Sequence, residues 1–328
     1  MKTLRVWFFL AAMTLFLLGF IFPEAGLCKA HAQLAIAIEN YAGDGSRYHE
    51  ILIASPVDNQ THPVVIYIHG GCWAYTFDDW TTKAFNAIHA ATHGFVGVSI
   101  NYSLTRHGKT NPQDPRWKYW PDQLDDAKHA VGWLKNHAGK YGIDPGKIYT
   151  IGHSAGGHIA LMLALTNSDI QNPNYRYDSS GDIQGACTVA GASDLFRIYY
   201  ESIFPIDNLP SVVNDLLDNP LMHVTDNCDN CSGTNSFCYL NRCRTNPDGE
   251  IALASPIYNL PQDTSGLVPI FMVSGMWDEI SPKKGQHTPF YSLLSPDKKK
   301  ELTYPCGHDF GFWWDDIDHK AYDFFSSH

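Results

Sequence analysis

The segment KIYTIGHSAGGHIALMLAL, Lys147–Leu165, changes character halfway along. Its first residues are β-branched or aromatic and stop at Gly152. Ser154 follows two residues later, then Ala155, Gly156 and Gly157, then an apolar run of helix formers. The pattern predicts a strand ending at glycine and a helix starting directly after a serine. A turn that tight leaves no room for bulk beside the serine, and its strain lifts the hydroxyl clear of the sheet. The N-terminus of the helix points at the same spot and favours negative charge developing there. G-x-S-x-G alone also arises as a chance Gly/Ser turn. Between a strand and a helix it marks Ser154 as a candidate nucleophile, with Gly152 and Gly156 supporting the turn.

Strand-like and helix-like segments alternate on either side. QLAIAI (Gln33–Ile38) and HEILIA (His49–Ala54) read as an edge hairpin. PVVIYIHGG (Pro63–Gly71) and GFVGVSINY (Gly94–Tyr102) read as strands before the serine, with a helix between them over Trp80–Ala91. Leu124, Ala127, Val131, Leu134 and Ala138 recur at helical spacing, one face of an amphipathic helix. Pro121 stands at its start, where a missing N–H costs nothing. GACTVAG, VPIFMVSG and KKELTYP supply three later strands. A helix around Pro289–Leu294 precedes the last, and WWDDIDHKAYDFFSS closes the chain as a helix. Continuous apolar strands alternating with helices imply an α/β fold, a mostly parallel sheet covered on both faces. Its ligands gather at the carboxyl ends of the strands. No internal repeat or linker divides residues 33–328.

A serine hydroxyl needs a base to take its proton, and the base needs an acid to orient it. In a parallel sheet both belong at the ends of later strands. VPIFMVSGMWDEI delivers Asp278, and KKELTYPCGHDF delivers His308. The order Ser154, Asp278, His308 is the one this architecture uses. Glu279 is the nearest rival acid; Asp309 is adjacent to His308 and poorly placed to face it. HGGCW (His69–Trp73) follows an early strand, where preplaced N–H donors for an oxyanion belong. His69 and Gly70 support that turn, and the N–H groups of Gly71, Cys72 and Ala155 are the candidate donors. An HGG that is a mere turn is the plainer alternative.

With YIHGGCW, VSINYSL, PDQLDDAKHAVGWLKNHAGKYGIDPGKIYTIGHSAGGHIA and the late Asp278 and His308, the chain resembles an α/β-hydrolase. More narrowly, it is similar to the hormone-sensitive-lipase-like and feruloyl-esterase-like carboxylesterases, with kynurenine formamidase as a relative. The likeness covers most of residues 60–328. It implies hydrolysis of a small-molecule ester through an acyl-enzyme, with no metal or organic cofactor. A lipase, a formamidase-like amidase and a catalytically silent binding protein are the alternative functions. Cys72 departs from the third glycine or aromatic residue of many relatives, which keeps the N–H but narrows the pocket.

Residues 196–262, rich in Asn, Asp, Pro, Tyr and Cys, break the rhythm. They read as a cap-like, Cys-rich insertion over the carboxyl edge, a lid or substrate wall. Trp117, Tyr119 and Trp120, with Tyr199 and Tyr200, are candidates for an apolar wall. No long apolar lid helix is visible in the sequence, which favours short, medium or aryl esters over triglycerides.

The N-terminus carries Lys2 and Arg5, then an uncharged apolar run from Val6 to Phe22 and Ala30-His31-Ala32. This reads as a signal peptide over residues 1–32 with a mature start at Gln33; an uncleaved anchor is the alternative. Leu27 is too large for Cys28 to be a lipoprotein site. Loss of Lys2, Arg5, Lys29 and Glu24 would take the formal charge from −11 to −13. The expected protein is exported, acidic and without stable membrane association after cleavage. With 44% apolar and 17% charged residues, a large core is available. The only tight basic cluster is Lys298–Lys300, so no nucleic-acid partner is expected. In an exported chain, Cys228, Cys231, Cys238 and Cys243 suggest two disulfides rather than zinc, and one of Cys72, Cys187 and Cys306 at least should be free. Asn59 heads an N-Q-T triplet that a eukaryotic secretory pathway could glycosylate.

Overall fold

The hairpin β1 (Leu34–Asn40) and β2 (Glu50–Pro56) forms one edge of an eight-stranded sheet in this computed structural model. The structure describes residues 33–76, 80–105, 118–168, 179–201, 213, 216, 237–239, 242–244 and 250–328. Along the chain follow β3 (His62–Ile68), α1 (Trp80–Thr92), β4 (Val96–Ile100), α2 (Asp122–Asn136), α3 (Ala138–Tyr141), β5 (Ile143–His153), α4 (Ala155–Leu165), β6 (Gly185–Val189) and α5 (Leu195–Glu201). Then come β7 (Phe237–Tyr239), β8 (Arg242–Arg244), α6 (Glu250–Ala254), β9 (Ile270–Gly275), α7 (His287–Leu293), β10 (Lys299–Tyr304) and α8 (Trp314–Ser326). The sheet order is β1-β2-β4-β3-β5-β6-β9-β10. It is antiparallel only where β2 meets β1 and β4, and parallel from β4 to β10.

Side chains of a strand alternate between faces, so Val64, Ile66 and Ile68 pack into one core while Val65 and Tyr67 pack into the other. The first core lies under α2 and α4; the second lies under α8, through Ile317, Ala321, Tyr322 and Phe325. That double burial is why the strands read as unbroken apolar runs. Every residue of α4 is buried, which is why its sequence is apolar apart from His158. Leu124, Ala127, Val131 and Leu134 of α2 are fully buried, each larger aliphatic contributing about 1.5–3 kcal/mol. The fifth residue of that stripe, Ala138, lies in α3 instead. His137 leaves helical geometry (φ −108°, ψ 14°) and caps α2 with its N–H.

The register aligns the strand ends. Ile68 pairs with Gly152, Gly152 with Thr188, Thr188 with Met272, and Met272 with Glu301. The turns after β3, β5, β6, β9 and β10 therefore emerge along one edge.

Most of residues 196–262, residues 1–32 and Trp117 lie outside the described residues, as do the side chains of Tyr199 and Tyr200. What is described of 196–262 is mainly helical at its ends, α5 and α6, with the β7–β8 hairpin between. Val213 and Leu216 are fully buried, and the Leu216 carbonyl accepts the Trp120 N–H at 2.8 Å. Cys72, Cys187 and Cys306 are free thiols. Cys228 and Cys231 lie outside the described residues; Cys238 and Cys243 are described in backbone only, directly opposite each other across β7 and β8. Among the described residues no helix is long and apolar enough to cross a membrane.

Candidate active site

Ser154 takes φ 53° and ψ −117°, a conformation that a residue with a side chain seldom adopts. Hydrogen bonds on both sides hold it: its N–H donates to Val189 O at 2.8 Å and its carbonyl accepts the His158 N–H at 3.0 Å. The turn leaves no space for side chains at its glycines. A Cβ on Gly152 would lie 2.1 Å from Gly156 O, and one on Gly156 would lie 2.1 Å from Ile68 O.

His308, beyond β10, reaches the serine across the sheet edge. Its Nε2 lies 2.8 Å from Ser154 Oγ, and its Nδ1 lies 2.9 Å and 3.1 Å from the two carboxylate oxygens of Asp278. An ionised carboxylate only accepts, so Nδ1 carries the hydrogen and Nε2 is left to accept from the serine hydroxyl. Asp278 Oδ1 also accepts the N–H groups of Ile280 (2.9 Å) and Ser281 (2.8 Å). Burial works against an ionised Asp278, but His308 and these two N–H groups outweigh it and hold the carboxyl below its usual range. Glu279 is exposed; Asp309 is exposed too, its Oδ1 accepting the Gly311 N–H at 3.0 Å.

The loop after β3 lies against the serine turn. A Cβ on Gly70 would stand 3.0 Å from His153 O and 3.2 Å from Ser154 Cβ. Gly71, Cys72 and Trp73 have φ of 115°, 51° and 57°, a left-handed run that turns the chain back on itself. Among the described residues, the N–H groups of Gly71 and Cys72 donate to no backbone carbonyl. The Ala155 N–H is the first of α4 and has no intrahelical acceptor. Tyr102 braces the loop, stacking on His69 at 4.3 Å and donating its hydroxyl hydrogen to His69 O at 2.9 Å.

Two histidines absent from the sequence-derived set organise the rest. His158 accepts the indole N–H of Trp73 at 3.2 Å and donates Nε2–H to Ala254 O at 2.6 Å, joining the loop to α6. His153 donates Nε2–H to His308 O at 3.0 Å. Burial pushes both rings down to about 4, His153 being further disfavoured by the nearby His308, so both are neutral near pH 7. Histidines inside apolar runs were the available signal.

Trp73, Ala190, Ala192, Ile198 and Ile280 wall a pocket of about 20 Å3 at Ser154 and His308. That is room for roughly one water-sized group. The Cys72 side chain lines it, as its position after the glycines suggested. Of the five residues expected to form an aromatic wall, the side chains of Tyr119 and Trp120 alone are among those described. Trp120 packs on the buried His158, ring centroids 4.8 Å apart, and among the described residues Trp73 supplies a tryptophan to the pocket. Trp120 precedes α2 and is half-buried against the core that α2 covers.

A mostly parallel sheet with a strained serine between strand and helix, and an acid and a histidine at the ends of the last two strands, defines an α/β-hydrolase. The chain belongs to the BD-FAE family, whose profile matches residues 51–287. It is 35% identical over 140 residues to the probable carboxylic ester hydrolase LipM of Mycobacterium tuberculosis, covering 42% of this chain and 30% of that one. It is 33% identical over 107 residues to kynurenine formamidase avaC of Aspergillus versicolor, covering 31% and 35%. These alignments thus span about a third of each relative. Among solved structures, a truncated carbohydrate esterase from gut microbiota matches with a TM-score of 0.63 at 19% identity, over 93% of this chain and 99% of that one.

Proposed function

We propose that this chain is a serine carboxylesterase acting on esters with short acyl groups or aryl esters. The observation that carries the reading is the relay of Ser154 Oγ, His308 Nε2 at 2.8 Å and Asp278 at 2.9 Å from His308 Nδ1. Ser154 attacks the ester carbonyl, and its proton passes to His308 Nε2 as the Oγ–C bond forms. Asp278 holds the ring in the accepting tautomer and stabilises the imidazolium. The N–H groups of Gly71, Cys72 and Ala155 take the oxyanion. The C–O bond to the alcohol breaks as His308 returns the proton to it. Water, deprotonated by His308, then releases the acid and restores the serine.

The narrow pocket supports a short acyl group, and the similarity to LipM supports ester over amide. An N-formyl amide is the second reading, favoured by the likeness to the formamidase and by its own small acyl group. In the same reading residues 1–32 direct export, and the Cys-rich insertion, with its cysteines paired, caps the site. The burial of Val213 and Leu216 supports that placement.

Hydrolysis of p-nitrophenyl esters from acetate to palmitate by the purified protein tests this, beside Ser154→Ala. Activity should peak on short chains and fall by about 10^4-fold or more in the variant. An unchanged variant removes Ser154 from the mechanism. Activity only on long chains makes the protein a lipase, and folded protein inactive on every ester but active on N-formylkynurenine makes it an amidase.

A further inference from the structure

We infer that His89, His93 and His319, with Asp315, form a divalent transition-metal site, zinc fitting best, that ties α1 to α8. His89 lies in the last turn of α1 and His93 just beyond it, at the i, i+4 spacing that puts two imidazoles on one helical face. His319 comes from α8, with Asp315 one turn before it. One ring nitrogen from each of the three histidines lies within 4.8 Å of the others. Tetrahedral zinc with its usual bonds to nitrogen needs roughly 3.3 Å between donors. His93 and His319 are exposed, so small rotations of their rings close the difference.

The surrounding contacts select the donor atoms. His89 Nδ1 faces Tyr322 Oη at 3.0 Å and an oxygen of the buried Asp318 at 3.3 Å, which leaves Nε2 for the metal. His93 donates Nδ1–H to His89 O at 2.7 Å, which again leaves Nε2. The Asp315 carboxylate stands outside that three-nitrogen group, 3.2 Å from His89 Nε2 and 3.7 Å from His319 Nε2, and its exposed side chain can turn in as a fourth, oxygen ligand. Asp318 behind His89 is the outer carboxylate that metal-bound histidines commonly require: it fixes the tautomer and the ring plane. Three imidazoles and one carboxylate match zinc, copper or nickel, not magnesium or calcium.

None of these residues lines the pocket at Ser154, so the site is structural. His89 and Asp315 are 226 residues apart in sequence. A metal bridging them binds the folded chain alone, so its binding free energy adds to stability and fastens the closing helix.

The test uses protein stripped with EDTA and titrated with zinc chloride by calorimetry and thermal unfolding. One zinc should bind per chain, and Tm should rise by several degrees at about a hundredfold excess over Kd. The double variant His93→Ala, His319→Ala changes two exposed side chains and should lose binding at least ~10-fold together with the Tm shift. Cobalt bound to the unmutated protein should show visible ligand-field bands. Absence of stoichiometric zinc binding, absence of those bands, or a double variant that binds zinc as before would each overturn the inference.

Discussion

His153, the residue before Ser154, donates its Nε2–H to the main-chain oxygen of His308 at 3.0 Å. Two residues 155 positions apart are joined, so the strand end that carries the proposed nucleophile also anchors the loop that carries its base. The ring is packed edge-on to Phe310 and Trp314, at 6.1 Å and 5.5 Å. His153→Leu keeps most of that apolar contact and removes the donor. One neutral hydrogen bond contributes about 1 kcal/mol, so kcat should fall about fivefold with KM little changed. His153→Gln, which restores a donor, should recover part of the loss. Steady-state kinetics on p-nitrophenyl acetate decide it: equal losses in both variants would show that the ring acts by packing alone.

Asp278 and Glu279 are adjacent, but only Asp278 meets His308. Asp278→Asn keeps the shape and presents an amide that stabilises the wrong imidazole tautomer, so kcat should fall by about 10^4-fold. Glu279→Gln changes an exposed side chain and should leave kcat within about twofold. The reverse pattern would hand the acid's role to Glu279.

The parts of this site that were legible in the sequence have local signatures. Ser154 is marked by its own neighbours, and Asp278 and His308 by the apolar strands that precede them. The links between those parts carry no local signature. His158 meets Trp73 and Ala254 at separations of 85 and 96 residues, and no periodicity encodes such a pairing. The aromatic wall illustrates the limit: Trp120 has the composition of a binding residue, yet its ring packs on the buried His158, 38 residues further along the chain. His89 and His93 show their i, i+4 spacing, while His319 joins them only through the packing of α8.

Gly156 is required by contact, not by its own dihedrals. A Cβ there would meet Ile68 O at 2.1 Å and His69 O at 2.5 Å, both backbone atoms that cannot swing aside. Gly156→Ala should therefore destabilise by several kcal/mol and lower the urea midpoint, or give no soluble protein. Gly139 in α3 has nothing within 4 Å of a built Cβ. Gly139→Ala should be neutral or stabilise by about 0.4–1 kcal/mol, through helix propensity and a less disordered unfolded chain. If Gly156→Ala unfolds at the wild-type midpoint, the turn is looser than this geometry.

Acid should destabilise the fold through its buried histidines. Burial pushes His69, His153, His158 and His287 from 6.5 down to about 4. Between those values the unfolded chain binds protons that the folded chain refuses. Their stabilisation is therefore complete above about pH 6.5 and is lost as pH falls toward 4, each ring contributing up to about 1.4 kcal/mol per pH unit. His49, raised by Asp126, acts in the opposite sense, stabilising below 6.5 and fading as pH rises. Among the described residues outside the proposed metal site, four rings against one leave a net loss on acidification. His158→Gln isolates one of the four. Its carbonyl can accept from Trp73 and its amide can donate to Ala254 O, but it has no proton to gain. Thermal unfolding between about pH 7.5 and pH 5 should show a lower Tm for this variant at the neutral end and a shallower fall toward acid. Parallel slopes for variant and wild type would mean that His158 takes up its proton in the folded protein as readily as in the unfolded one, and that it is not the neutral link between Trp73 and α6.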